Sequence, residues 1–174
     1  KDPINAVHTI LMPISDDDVI GAELDFSILA GHNLIPMDGT GLFKMGKLST
    51  SDPYVTVQLG GGPFKNRDDL KGKTEVRPKT LNPEWSNASF KFHLKQGEYK
   101  PDHNVLILKI FDRDRGMLDA DDPMGKVRIP LRLLQSGQAV EKWYTVEPCE
   151  GCAKTTGELR VRASLSFRRA LSLR

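Results

Sequence analysis

The chain reads VLILKIFDRDRGMLDADDPMG from residue 105 to residue 125. The first part is an almost unbroken apolar run, which is typical of a β-strand buried on both faces. Beyond Phe111 the run gives way to a short loop that carries five aspartates: Asp112, Asp114, Asp119, Asp121 and Asp122. Carboxylates this close together repel one another, and a divalent cation would remove that cost. Calcium suits such a loop because it takes oxygen ligands in flexible geometry. A solvated acidic loop is the alternative.

The rest of the chain predicts an all-β fold. Short segments in which apolar and polar residues alternate recur along the chain, as expected for half-buried strands. Together with the apolar run they are residues 22–30, 51–62, 73–77, 89–94, 105–111, 124–131, 142–146 and 157–167. Turn sequences such as TLNPEW separate them. We therefore predict an eight-stranded antiparallel β-sandwich, with a polar loop at residues 63–72 and a helical turn near residues 131–136.

Composition indicates one soluble globular domain. The 174 residues are 39% hydrophobic and 28% charged, and no apolar run approaches the ~20 residues that span a bilayer. We predict a linker or N-terminal extension at residues 1–21, the domain at 22–168 and a basic tail at 169–174. Because basic residues dominate the stretch after residue 153, an anionic surface is the expected partner. For Cys149 and Cys152 we favour free thiols, then a local disulfide, then redox chemistry.

Several motifs resemble, in order and spacing, those of the C2 domain, the calcium and phospholipid module named from protein kinase C. They are ELDFSILAGHNL, SDPYVTV, KTLNPEW, IFDRDR, DDPMGKV, KWYTV and GELRVRASLSF. They cover almost all of residues 22–167. The resemblance implies a sandwich of type II topology, since a strand like GELRVRASLSF closes the chain and ELDFSIL opens it. A strand within HTILMPIS, near the N-terminus, would weaken that topology.

The resemblance also implies the metal ligands. In the family, calcium lies in a cup formed by loops at one end of the sandwich. The loop-one acids correspond to Asp38 and Asp52, and the loop-three acids to Asp112, Asp114 and Asp122. Loop three is about two residues longer than is usual, so Asp119 or Asp121 could replace Asp122. The family implies two calcium ions here, with a third at the loop tip left open. Some C2 domains keep the fold and lose calcium, which is the alternative.

Loop one carries an insertion, TGLFKMGKLST, that most family members lack. Apolar residues interleaved with lysines are typical of a loop tip that enters the lipid headgroup region. The predicted membrane-contact residues on loops one and three are Leu42, Phe43, Lys44, Met45, Lys47, Met117 and Leu118. A small satellite core beneath the loop is the alternative for Leu42 and Phe43.

A lipid-headgroup site on the concave face, found in some members, is a weaker expectation. Tyr54 and Lys73 match its pattern, while Thr56 and Glu75 replace expected lysines. Arg77 is one of the nearby basic residues that could compensate. A solvated strand face is the alternative.

The sequence therefore predicts a calcium-dependent module that docks its parent protein on anionic phospholipid membranes, at their cytosolic face. We expect no enzyme activity, because no nucleophile lies beside a plausible base. We expect no nucleic-acid binding, because no aromatic residues are interleaved with the basic strand. The alternative is a calcium-insensitive C2 fold used for protein interaction or autoregulation. It would use basic residues of the last strand and tail: Arg160, Arg162, Arg168 and Arg169.

Overall fold

A computed structural model describes residues 19–37, 50–114, 120–135 and 137–170 of the chain. These residues form eight β-strands. In chain order they are β1 Val19–His32, β2 Pro53–Gly60, β3 Lys71–Lys73, β4 Ser89–Lys95, β5 Val105–Asp112, β6 Asp122–Pro130, β7 Val140–Thr145 and β8 Glu158–Arg169. Two single turns of 3₁₀ helix, Asp68–Leu70 and Leu131–Leu134, accompany them. No helix in the described part of the chain has the length and apolarity to cross a bilayer.

The strands form two four-stranded sheets, which confirms the predicted all-β sandwich. One sheet has the order β4-β1-β8-β7 and the other β3-β2-β5-β6, and every pairing is antiparallel. The last strand, β8, pairs with both β1 and β7. Within the described residues this is the chain order that the type II expectation requires. The segment HTILMPIS lies outside those residues.

The inward-facing side chains of both sheets form one continuous core. Alternate residues of β8 lie in it, from Leu159 and Val161 to Leu165, as the sequence pattern predicts. Trp85, from the TLNPEW turn, is 4% exposed, and its Nε1–H donates to the Glu75 carbonyl at 2.9 Å. The core therefore includes the turn that crosses from one sheet to the other.

Three details differ from the sequence prediction. The outer face of β5 is not fully covered: Ile107 is half-buried and Lys109 is exposed, because no described layer packs outside this sheet. β3 lies at Lys71–Lys73 rather than at residues 73–77. The segment predicted as a polar loop at residues 63–72 contributes Phe64 and Leu70 to the core. The helical turn predicted near residues 131–136 is confirmed at Leu131–Leu134.

A β-bulge shapes the start of β6. Ile110 pairs with Gly125 and Phe111 with Pro123, so Met124 is the extra residue on β6. Gly125 has a φ of +133°, and a Cβ there would lie 2.5 Å from Val146 Cγ1. Glycine is therefore required at this bulge. The bulge lies next to the pair Asp112–Asp122, where β5 and β6 enter the aspartate loop.

Candidate metal and membrane-binding site

Five aspartates lie where loops one and three meet the ends of β2, β5 and β6. We refer to these residues as the aspartate end: Asp52, Asp112, Asp114, Asp121 and Asp122. Strand pairing brings them together, since Pro53 pairs with Asp112 and Asp112 pairs with Asp122. Residues facing each other across an antiparallel pair have Cα atoms about 4.5–5.5 Å apart. Carboxylates from distant parts of the sequence thus become neighbours.

Asp52 and Asp112 are nearly fully buried, at 7% and 3% exposure. The Asp52 N–H donates to Asp112 Oδ1 at 2.6 Å, and the Lys79 N–H donates to Asp52 Oδ1 at 2.7 Å. Main-chain N–H donors fix the orientation of a carboxylate. The two side chains are therefore held in one defined arrangement.

Ser51 secures the entry to β2 beside them. Its hydroxyl accepts the Met37 N–H at 2.9 Å and donates to the Ile35 carbonyl at 3.3 Å. The Ser51 carbonyl accepts the Thr80 N–H at 2.9 Å. One fully buried serine thus joins the first part of loop one to the turn that bears Lys79.

The aspartates of loop three have different surroundings. Asp121 Oδ2 accepts the Tyr54 hydroxyl at 2.7 Å, and Asp121 Oδ1 accepts the Asp114 N–H at 3.0 Å. The Tyr54 hydrogen bond is the main cause that lowers the pKa of Asp121. Burial, followed by the Asp121 hydrogen bond, raises the pKa of Tyr54 to about 12. Asp122 is exposed.

The side chains of the aspartate end are chemically suited to bind a hard divalent cation. They supply carboxylate oxygens, the ligand type that calcium takes, and two of the carboxylates are buried and oriented by main-chain N–H groups. Among the described residues, however, no three His, Cys, Asp or Glu side chains form a group that could hold a metal ion. Two of the predicted ligands, Asp38 and Asp119, lie outside the described residues. The complete ligand set and the number of ions therefore stay predictions.

The predicted membrane-contact residues all lie outside the part of the chain that the structure describes. On loop one these are Leu42, Phe43, Lys44, Met45 and Lys47, and on loop three Met117 and Leu118. Their role at the bilayer stays a prediction, as does the alternative of a satellite core.

The three residues predicted for a lipid headgroup all lie in the part of the chain that the structure describes. Tyr54 and Lys73 lie on the outer face of the β3-β2-β5-β6 sheet, where Lys73 pairs with Thr56, two residues along from Tyr54. Arg77 instead lines an open groove of about 630 Å³ together with Trp85 and Arg160. The Arg77 N–H donates to the carbonyl of Pro53, the residue before Tyr54, at 2.9 Å, and a shared headgroup site stays a prediction.

The same outer face carries three further basic residues that the sequence pattern did not single out: Lys109, Lys126 and Arg128. Lys73, Thr56, Lys109 and Lys126 form one row across the four strands, and Lys71, Gln58, Ile107 and Arg128 form the next. We call their basic members the basic face: Lys71, Lys73, Lys109, Lys126 and Arg128. Lys71 pairs with Asp68 at 2.8 Å, and the other four make no ion pair with another described residue. The sequence feature that could have indicated this face is Lys109, which lies between the apolar residues Leu108 and Ile110.

Comparison with known proteins assigns the chain to a family. The family model described as "C2 domain" matches residues 22–146. The chain belongs to the C2 domain family. The C2 sandwich is thus established by sequence and fold, although the matched stretch ends before β8.

Individual relatives agree with this assignment. The chain is 37% identical over 110 residues to mouse synaptotagmin-7, covering 63% of this chain and 25% of that protein. It is 33% identical over 139 residues to a probable serine/threonine-protein kinase of Dictyostelium discoideum, covering 78% of this chain and 12% of the kinase. The chain therefore spans a quarter or less of the length of these relatives.

A solved structure shares the fold. The first C2 domain of a plant extended synaptotagmin 1 superposes with a TM-score of 0.63 at 21% identity, over 87% of this chain and 98% of that one. At that identity the likeness shows the fold alone. In these relatives the matched region is one part of a larger protein.

Proposed function

We propose that the chain is a calcium-dependent phospholipid-binding module that docks its parent protein on anionic membranes. The single observation that carries the proposal is the pair of buried carboxylates, Asp52 and Asp112, at one end of a C2 sandwich, where the main-chain N–H of Asp52 donates to Asp112 Oδ1 at 2.6 Å. Burying two neighbouring carboxylates costs free energy. A fold that needed only stability could use uncharged side chains at these positions.

Four residues of the aspartate end would hold the ion through carboxylate oxygens: Asp52, Asp112, Asp114 and Asp122. Asp52 and Asp112 are oriented before any ion binds, and Asp114 and Asp122 flank them. Calcium, when bound, supplies positive charge and coordination positions that a phosphate oxygen can share. We keep the predicted set of Asp38, Asp52, Asp112, Asp114 and Asp122, with Asp119 as the remaining candidate.

The basic face supports a preference for anionic lipid. Lys73, Lys109, Lys126 and Arg128 lie on one side of the sheet without ion pairs to other described residues. A basic residue near an anionic membrane contributes about 1 kcal/mol, which falls with ionic strength. This face adjoins the aspartate end through Tyr54 and Phe111, so both surfaces could contact one bilayer.

Calcium titration during thermal unfolding tests the metal site. A ligand that binds only the native state stabilises it by about 2.7 kcal/mol at one hundred times its dissociation constant. We expect the melting temperature to rise with calcium, and Asp112→Asn with Asp114→Asn to abolish the rise in a folded protein. The control, Asp68→Asn with Asp102→Asn, removes two exposed charges from the opposite end and should retain it. No shift up to millimolar calcium would contradict the proposal.

Vesicle co-sedimentation tests the membrane partner. We expect binding to phosphatidylcholine–phosphatidylserine vesicles in calcium and release in chelator. Lys109→Ala with Lys126→Ala should weaken that binding, mainly at low salt, and leave calcium affinity without lipid unchanged. The matched control is Arg160→Ala with Arg162→Ala on the other sheet. Binding that persists in chelator and depends on these arginines would favour the calcium-insensitive alternative instead.

A further inference from the structure

The side chain of Tyr54 connects the core of the aspartate end to loop three, which we define as residues 113–121. Tyr54 lies two residues after Asp52 on β2, and its ring stacks on Phe111 of β5 with centroids 5.6 Å apart. From this fixed position the hydroxyl donates to Asp121 Oδ2 at 2.7 Å. A rigid aromatic residue on a strand thus contacts the last residue of the loop.

Asp121 in turn contacts the beginning of the same loop. Its other oxygen, Oδ1, accepts the Asp114 N–H at 3.0 Å, and Arg113 Nε lies 3.9 Å from that oxygen. Both carboxylate oxygens of Asp121 therefore have partners within the protein. One side chain joins residues 113–114 and residue 121, and Tyr54 attaches the junction to the sheet.

We propose that Tyr54 is a positioning residue for the calcium site: through Asp121 it holds residue 121 beside residues 113–114 in the metal-free protein. Asp121 is then an anchor of the loop, whereas Asp112 and Asp114 remain the ligands. This inference rests on the proposed function. It gives the Tyr54 hydroxyl a role inside the protein, distinct from the headgroup contact that its position in the sequence implied.

The physical reason is preorganisation. A loop that must be ordered when the ion binds loses affinity by the cost of that ordering, and contacts made on folding remove the cost beforehand. The connection from Tyr54 through Asp121 to the Asp114 N–H restrains the main chain beside a predicted ligand. The lowered pKa of Asp121 and the raised pKa of Tyr54 agree with a strong contact between phenol and carboxylate.

Calorimetric calcium titration of four variants tests the inference. Tyr54→Phe and Asp121→Ala should each weaken calcium affinity about 3- to 10-fold, as expected for the loss of a hydrogen bond to a charged group. The double variant should be no weaker than the weaker single one, because both break the same connection. Asp121→Asn should stay near wild type, since its amide can still accept the Asp114 N–H and donate to the Tyr54 oxygen. If Asp121 is instead a calcium ligand, Asp121→Asn loses affinity while Tyr54→Phe does not, and the inference is overturned.

Hydrogen exchange in chelator provides a readout that needs no calcium. We expect the Asp114 amide to be protected in the wild type and to exchange faster in Tyr54→Phe and Asp121→Ala. The matched control is Tyr144→Phe, which removes a half-buried hydroxyl on β7 and should leave the Asp114 amide protected. Exchange at the same rate in wild type and Tyr54→Phe would refute the anchor. A wild type that binds no calcium but protects this amide contradicts the proposed function and supports the anchor alone.

Discussion

The two ends of the sandwich bury polar side chains of different kinds. At the end opposite the aspartate end, the buried polar side chain is the neutral Asn104, which accepts the Lys100 N–H and donates to the Gly61 carbonyl. Two acids there are paired with one base, since Arg67 contacts both Asp69 and Glu98. At the aspartate end the buried groups are carboxylates held by main-chain N–H groups.

This difference separates a structural polar group from a functional one. An uncharged amide joins loops at little electrostatic cost, whereas adjacent carboxylates repel each other and lose solvation when buried. A neutral side chain such as Asn104 is therefore sufficient where two loops only need to be linked by hydrogen bonds. The carboxylates at the other end point to a requirement for negative charge, which a bound cation would satisfy. Three substitutions test whether the buried polar groups at the two ends have these different roles.

Replacing Asn104 should have the largest effect on stability. Asn104→Ala leaves the Lys100 N–H and the Gly61 carbonyl without this partner and creates a small cavity, so we expect the free energy of unfolding to fall by about 2–4 kcal/mol. Urea unfolding measures the loss. The calcium-induced rise in melting temperature should persist, because Asn104 lies at the other end. A loss below about 1 kcal/mol would show that Asn104 has no structural role of this kind.

Alkaline pH should weaken the contact between Tyr54 and Asp121. Because the folded pKa of Tyr54 is raised to about 12, its contribution is complete below the unfolded pKa of about 10 and is lost as pH rises through 12. We expect the stability difference between wild type and Tyr54→Phe to shrink by about 1 kcal/mol over this window, discounted for partial exposure. Urea unfolding at pH 9 to 12 measures it. Burial alone raises the pKa of Tyr144, so the Tyr144→Phe difference measures what burial contributes without a carboxylate contact. A constant difference for Tyr54→Phe would contradict the contact.

Neutralising Asp112 should have the smallest effect on stability without metal. Asp112→Asn keeps an oxygen that can accept the Asp52 N–H and removes one of the two buried charges. In chelator we expect the free energy of unfolding to change by less than about 1 kcal/mol, because a weaker hydrogen bond and relieved repulsion oppose each other. Chemical unfolding in chelator and in calcium would measure both states. Strong destabilisation in chelator would mean that the charge of Asp112 serves the fold rather than a ligand.

Much of the fold could be predicted from local patterns. The alternation in GELRVRASLSF places Leu159, Val161 and Leu165 on one face, and these residues are buried. The prediction was less accurate where a residue's neighbours come from distant segments. Ile107 belongs to an apolar run, yet its side of β5 has no covering layer among the described residues. Phe64 and Leu70 lie in a charged stretch, and only the fold brings them onto the core.

The sequence by itself determined the family, the all-β class and the aspartates of the predicted site, because strand periodicity and short motifs are local properties of the chain. Only the tertiary structure decided which of these groups meet. Antiparallel register brings Asp52 to Asp112 and Tyr54 to Asp121, and it aligns Lys109 with Lys126 on the basic face. Register depends on pairings between residues far apart in the chain, and a shift of one residue would reverse the face of every side chain. The candidate carboxylates could therefore be identified from the sequence, whereas only the fold shows that Asp121 is the one that contacts Tyr54.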